Sequence, residues 1–509
     1  MGIIKRQSLK TSLVNYAGVI LGVVFFNFVF PHLISEDYLG LIGLFQNLTL
    51  VLASLPALGL GHVLLRYFSV WKANETVNRY NRLAWLSMSV ALLLFALLFW
   101  LFKEPIVQQY QQRSPLFVPY AYLVIPLVAI FTYTQYLELF SMVKLRVAVP
   151  TFIREIVNRV LLIALLYGFA LGWLGESELI YGFVGVYALG GIALFLYARR
   201  VLDFQWGKDH RFWQQPGEWQ EPVRYAGSTM LILIASNLSN FIDGIILPAY
   251  LGLGALGIYM RPLVLGQMIQ VPYRAISLIS IPIIREAMVD NDMAKVRDLN
   301  RSIGLNLFLI GTFLFTGLVV CADSLLALLP PQYAQAKYVL YIIGFGRLFD
   351  MAFGLNSEIL NYSNHYRVIM YLSIVMMVMT VGLDIWFIPL WGMNGAAIAV
   401  TLSLMVFNVL KSVFIYRRFG FHCFSQHYIT LMLVMAMVIG VLQLIPFITF
   451  IEHHMFYNAL LNLLFKGSLS VIAFLIPVYV LKVSPDLNAF IALIVSGQVF
   501  KGGHKMEEL

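Results

Sequence analysis

Residues 241–287 read FIDGIILPAYLGLGALGIYMRPLVLGQMIQVPYRAISLISIPIIREA. The run is almost wholly apolar and too long for one membrane crossing, which takes about 20 residues. It therefore reads as parts of two spans joined by a short outer loop at about 250–253. Asp243, Arg261 and Arg274 lie inside it. A charge near the bilayer centre costs roughly 2.5–3.5 kcal/mol on insertion scales, so such residues face a partner or a water-filled cavity.

The rest of the chain repeats this pattern. It has 509 residues, 60% hydrophobic and 12% charged, with a mean hydropathy of +0.82. Soluble proteins carry about twice that charged fraction. The fold class that follows is an all-α polytopic membrane protein with about fourteen transmembrane helices. Its expected spans are near 11–33, 39–63, 83–102, 117–140, 154–173 and 179–198, then 225–249, 254–284, 302–328, 334–360, 366–389 and 394–416, then 428–450 and 457–482. The first apolar run lacks a cleavage pattern and reads as a span. Leu487–Phe500 is short of a crossing and reads as interfacial.

The formal charge of +9 falls in alternate loops, as the positive-inside rule requires, and does not suggest nucleic acid. Lys5 and Arg6, Arg79 and Arg82, Lys144 and Arg146, Arg199 and Arg200, Lys295 and Arg297, and Arg417 and Arg418 mark one face. With an even number of spans, both termini are expected in the cytoplasm. The opposite loops are short, the longest being about Lys103–Leu116.

A weak repeat divides the spans. Tyr38-Leu-Gly40 opens the second and Ala255-Leu-Gly257 opens the eighth, with the same orientation and six helices between. Such parallel repeats predict two pseudo-symmetric six-helix lobes around a cavity, plus a C-terminal helix pair. The expected divisions are an N-terminal lobe at 1–200, a linker at 201–224, a C-terminal lobe at 225–418, and helices 13 and 14 with a tail at 419–509. Prolines 56, 126, 248, 262, 272 and 282 are expected to bend helices by removing ladder donors.

Enzyme and ATPase motifs are missing: no GxxxxGK[ST], HExxH, CxxC or GxSxG occurs. Cys321 and Cys423 suggest neither a disulfide nor a metal, and no cofactor is expected. His453-His454 reads as an incidental surface pair. The embedded charges carry the functional signal. Arg347 and Asp350, spaced i, i+3, suit a local pair. Paired charges that lock helices together are the plain alternative for each, and lipid-phosphate snorkelling is the alternative for Arg66, Arg154 and Arg159 near the boundary.

The segment Gly382-Leu-Asp384-Ile-Trp-Phe-Ile-Pro389-Leu-Trp-Gly392-Met-Asn-Gly395-Ala396-Ala397 resembles a signature of the polysaccharide biosynthesis (Wzx-type) flippases of the multidrug/oligosaccharidyl-lipid/polysaccharide exporter superfamily. Asp384 stands where Asn is common there. The runs around Asp243, Gly257 and Tyr259, and the one ending at Arg66-Tyr67, are similar to the same family.

The resemblance implies a non-enzymatic flippase that moves an undecaprenyl-diphosphate-linked oligosaccharide repeat unit from the inner to the outer leaflet. It implies alternating access in a bacterial inner membrane, serving O-antigen, capsule or exopolysaccharide. The implied partners are the lipid-linked oligosaccharide, membrane lipid and polysaccharide polymerase machinery. A diphosphate needs cations, and arginine grips phosphate oxygens in pairs. Arg261, Arg274, Arg66 and Arg154 are the expected diphosphate contacts. Asp243, Asp350 and Glu358 are the expected ion-coupling or charge-balancing groups. The alternatives are an ion-coupled multidrug exporter on the same fold and, remotely, a membrane polysaccharide polymerase or ligase. The first predicts an acidic, aromatic cavity, and the second a large catalytic outer loop.

Overall fold

The computed structural model describes residues 14–73, 76–206, 219–363, 365–451, 454–484 and 488. These residues form helices and no strand. Eight helices are long and apolar enough to cross a membrane, or up to ten if each of two bent pairs counts as one span. The chain is a multi-pass helical membrane protein. Helix Val77–Leu101 shows why: Leu93, Leu97 and Trp100 are 72%, 53% and 70% exposed. In water that apolar surface would be a liability, whereas in lipid it is the proper exterior.

Several expected spans are broken. The second divides into Glu36–Leu52 and Leu60–Ala73. Pro56 cannot donate to the ladder, and Leu58 and Gly59 adopt left-handed φ of 51° and 67°. The seventh bends by 42° between Gln220–Phe241 and Asp243–Leu251, and the tenth by 51° between Pro331–Met351 and Asn356–Tyr362. The eighth is two α-helices, Leu253–Gln267 and Val271–Val289, joined by the 3-10 turn Met268–Gln270. Pro126 does not act as expected: it lies in the first turn of Val124–Val143, where no intrahelical donor is lost. The eleventh and twelfth spans run together as Tyr366–Phe419, turning at Gly392 (φ 58°, ψ −135°). Only glycine takes that conformation without strain.

The expected outer loop at 103–116 instead carries the short helix Lys103–Gln111. It is tied down by Tyr110, which donates to the Ile245 carbonyl at 3.0 Å, and by Ser114, which donates to the Pro248 carbonyl at 2.7 Å. Half of the expected linker (207–218), His453 of the histidine pair, and nearly all of Leu487–Phe500 lie outside the described residues.

By packing, the chain groups into two units: Met1–Arg261 with Ser373–Val400, and Pro262–Leu372 with Thr401–Leu509. This grouping is a different quantity from the sequence repeat. The first unit has a core around Val63, Tyr80, Met88, Tyr136, Phe140 and Phe204. In the second, helix Met293–Ala327 is the axis against which Lys337–Met351, Gln426–Gln443 and Met455–Val480 pack. Polar side chains secure the turn between the last two helices. Asn458 and Asn462 accept from the Phe450 and Ile448 amides at 2.8 and 3.0 Å, and the buried Lys466 donates to the Ile445 carbonyl at 2.8 Å.

Within the first unit, Gly40 and Gly257 sit at one helix crossing. A Cβ on Gly40 would collide with the Leu253 carbonyl, and one on Gly257 with the Glu36 carbonyl. Gly43 meets Met260 likewise. The offset of 217 positions that relates Gly40 to Gly257 also relates Glu36 to Leu253 and Gly43 to Met260. Each half of the crossing therefore mirrors the other.

Candidate functional site

The second unit gathers a compact set of embedded polar groups. Helix Lys337–Met351 stops at a turn where Gly354 has φ 57°. The side chain of Asn300 caps the restart, accepting from the Leu355 amide at 2.9 Å. This break places Asp350 and Glu358 on separate short helices instead of one rigid rod. Asp350 accepts from Asn408 Nδ2 at 2.8 Å and from Gln270 Nε2. The same Gln270 accepts from Arg347 Nη1 at 3.3 Å through its Oε1. The local Arg347–Asp350 pair expected from their spacing thus has Gln270 bridging it. The buried Glu358 accepts from the Tyr273 hydroxyl at 2.9 Å and from Ser277.

Lys411 completes this set. It is 3% exposed, donates to Ser357 Oγ at 2.7 Å, and lies in the electrostatic reach of both Asp350 and Glu358. The cluster brings two acids, Asp350 and Glu358, together with two bases, Arg347 and Lys411. It can hold charge in a low-dielectric interior, or pass a proton along Tyr273 and Glu358. Sequence reading passed over Lys411, although an ammonium inside an apolar helix is the same signal that singles out Arg261.

A second acidic site lies in the first unit. Asp243 is 3% exposed; it accepts from the Tyr259 hydroxyl at 2.6 Å and from the Gly244 amide at 2.8 Å. Gly244 itself lies tight against Asn47, where a side chain would not fit. Asp384 is fully buried, feels the charge of Asp243, and neither of its carboxylate oxygens has a hydrogen-bond partner among the described residues. Two carboxyl groups are thus held out of water close to one another, where a proton or a cation lowers the cost of their charge. Sequence reading noted Asp384 as an unusual residue and did not join it to Asp243, because 141 positions separate them.

The four arginines occupy unlike settings. Arg261 is buried at 5% exposure on helix Leu253–Gln267. Arg66 is exposed and lies over the Tyr225 ring, 4.4 Å from its centroid. Arg154, 53% exposed, is held by Glu138 at 2.7 Å and Glu155 at 3.0 Å. Arg274 is exposed, in the second unit. Among the described residues no group of three or more His, Cys, Asp or Glu side chains could hold a metal. Cys321 and Cys423 are free and buried.

A family model described as polysaccharide biosynthesis protein matches residues 4–288. No curated protein sequence matches the chain. Among solved structures, the lipid II flippase MurJ in an inward closed conformation aligns at TM-score 0.69 and 13% identity, covering 93% of this chain and 98% of its own. A multidrug resistance MATE family transporter of the MOP superfamily aligns at TM-score 0.57 in its inward-facing form, covering 81% of this chain and 94% of its own. An outward-facing form aligns at 0.52, covering 82% and 96%. Both MATE forms are 13% identical to this chain. These likenesses establish the fold.

Proposed function

Because the chain belongs to the polysaccharide biosynthesis protein family, we propose that it flips an undecaprenyl-diphosphate-linked oligosaccharide repeat unit from the inner to the outer leaflet of a bacterial inner membrane, by alternating access. The family match is the observation that carries this reading. The shared fold with a lipid II flippase supports it, since that protein also handles a lipid-linked substrate. Both termini lie in the cytoplasm, and the polysaccharide polymerase machinery takes the product.

In this reading Arg261 grips the diphosphate, with Arg66, Arg154 and Arg274 as further contacts. A buried guanidinium gains most from an anion, because little water competes. Asp243, together with Asp384, takes up and releases the coupling ion, while Asp350 and Glu358 balance the cations of the second unit.

Deleting the gene is expected to leave lipid-linked repeat units on the cytoplasmic face and to remove the surface glycan. Normal glycan with altered dye resistance would sink the proposal in favour of drug export. Arg261→Ala, at matched membrane abundance, is expected to lower glycan export by about tenfold to hundredfold, the worth of a charge-assisted hydrogen bond. Arg261→Lys retains part of it, having charge without the paired geometry. Wild-type export by Arg261→Ala rejects the diphosphate assignment.

Asp384→Asn separates coupling from packing. It keeps the shape and removes the ionisable carboxyl that lies near Asp243. The variant is expected to melt at or above the wild-type temperature, while its export in vesicles no longer responds to collapse of the ion gradient. A wild-type response to that collapse overturns the coupling role.

A further inference from the structure

The break in the second span opens a cavity of about 250 Å³ inside the first unit. Its origin is legible in the backbone. The left-handed turn at Leu58 and Gly59 interrupts the helix, and Gly59 brings the chain so close to helix Gln220–Phe241 that a Cβ would lie 2.6 Å from the Ala226 carbonyl. The glycines draw the helices together, while the missing turn of helix leaves space beside them. His62 then enters the cavity from the first turn after the break. Gln135, Glu138 and Leu139 share one face of helix Val124–Val143 at spacings of three and four, and Asn237 closes the far side.

The chemistry of this wall is specific. The side chains of His62 and Gln135 make no hydrogen bond with any other described residue. Asn237 commits its Nδ2 to the Leu50 carbonyl at 3.0 Å, which leaves its Oδ1 as an acceptor. Glu138 gives one oxygen to Arg154 at 2.7 Å and keeps the other. The wall thus offers donors and acceptors in mixture, with its carboxylate already neutralised. Groups that each both donate and accept match it best, and those are hydroxyls. A cation would find its acid already paired, and an anion would meet that acid and the amide and hydroxyl oxygens. Leu139 supplies an apolar patch for a C–H face. The volume is at or below the low end of small-molecule pockets, which suits one ring and excludes a chain of several.

We infer that this cavity, lined by His62, Gln135, Glu138 and Asn237, is a subsite for one uncharged pyranose ring. The inference rests on the flippase reading for the origin of that ring: it is a sugar of the lipid-linked unit, held apart from the diphosphate.

The test uses the full chain in lipid nanodiscs with Ala57→Cys as a reporter on the cavity wall. Cys321 and Cys423 are buried and give little background. The rate of maleimide labelling is measured with D-galactose, N-acetyl-D-glucosamine, pyrophosphate or tetraphenylphosphonium as probe. A monosaccharide of about twelve heavy atoms binds with roughly millimolar affinity at ordinary ligand efficiency, so probes are used at about 50 mM. At least one of the two sugars is expected to slow labelling severalfold, and adding Gln135→Leu is expected to weaken that protection about fivefold. Protection by pyrophosphate or tetraphenylphosphonium without protection by sugar overturns the inference, as does no protection by any probe, or sugar protection untouched by Gln135→Leu. If Ala57→Cys yields no folded protein, Leu233→Cys reports from another wall. Transport does not enter this readout, so a failed flippase reading shows in the deletion strain and a failed subsite shows here.

Discussion

Gly257→Ala and Gly40→Ala are each expected to lower the melting temperature and the amount of folded protein in the membrane. Two effects compete in these variants. Alanine favours a helix over glycine by about 0.8–1.0 kcal/mol. Overpacking a tight contact costs about 1–3 kcal/mol. The nature of the opposing atom decides between them. At Gly257 the new methyl meets the Glu36 carbonyl, and at Gly40 the Leu253 carbonyl, both closer than 3.0 Å. A backbone oxygen cannot rotate aside as a side chain does, so the helices must part along the whole crossing. Any weak Cα–H···O contact at such a crossing, worth about 0.5–1 kcal/mol, is then lost as well. Gly382→Ala is the control, since a Cβ there meets nothing within 4 Å. It is expected to leave stability unchanged or slightly raised. Thermal melts in one detergent check all three. A Gly257→Ala melt within the range of Gly382→Ala would show that the crossing tolerates a side chain. The double variant is expected to cost less than the sum of the two, because both methyls open the same contact.

The crossing also marks how far sequence reading reaches. Gly40 and Gly257 were matched by pattern alone, and the structure sets them against each other with their neighbours in matching register. Hydrophobic run length likewise shows where helix is, and Pro56 shows where the second span fails. These are local signals, carried by adjacent residues. The broken tenth span is different: its restart depends on Asn300 capping Leu355, 55 residues away. The expected diphosphate set has the same difficulty. Arg154 reads as a free cation in sequence, yet Glu138 and Glu155 hold it. Arg347 and Asp350 sit at a pairing distance in sequence, and the structure adds Gln270, which contacts both from another helix. Periodicity gives a residue its face on its own helix. It carries no information on which distant side chain that face will meet, and in a membrane interior those meetings decide whether a charge is free or spent.

Lys411 is where that gap has the largest consequence. Lys411→Met keeps the length of the side chain and removes the charge. Asp350 and Glu358 then share the interior with Arg347 as the one remaining cation of the cluster. Breaking a buried charge arrangement by removing one partner costs about 3–5 kcal/mol, since the other is left uncompensated. The melting temperature is therefore expected to fall by about 3–5 °C. Two further variants identify the cause. Lys411→Met with Glu358→Gln restores neutrality and is expected to recover most of the loss, because replacing both members of a buried pair is far cheaper than orphaning one. Lys411→Arg keeps the charge and is expected to recover less, because a planar guanidinium does not fit the place of a compact ammonium held by Ser357. A double variant no more stable than Lys411→Met alone would show that Lys411 acts through its packing against Phe407, whose ring centroid lies 4.3 Å from its Nζ. The same variants bear on transport. If the cluster only balances charge, the double variant exports glycan normally once it folds. If Glu358 carries a proton during the cycle, the double variant folds and does not export, and stability and export come apart in one protein.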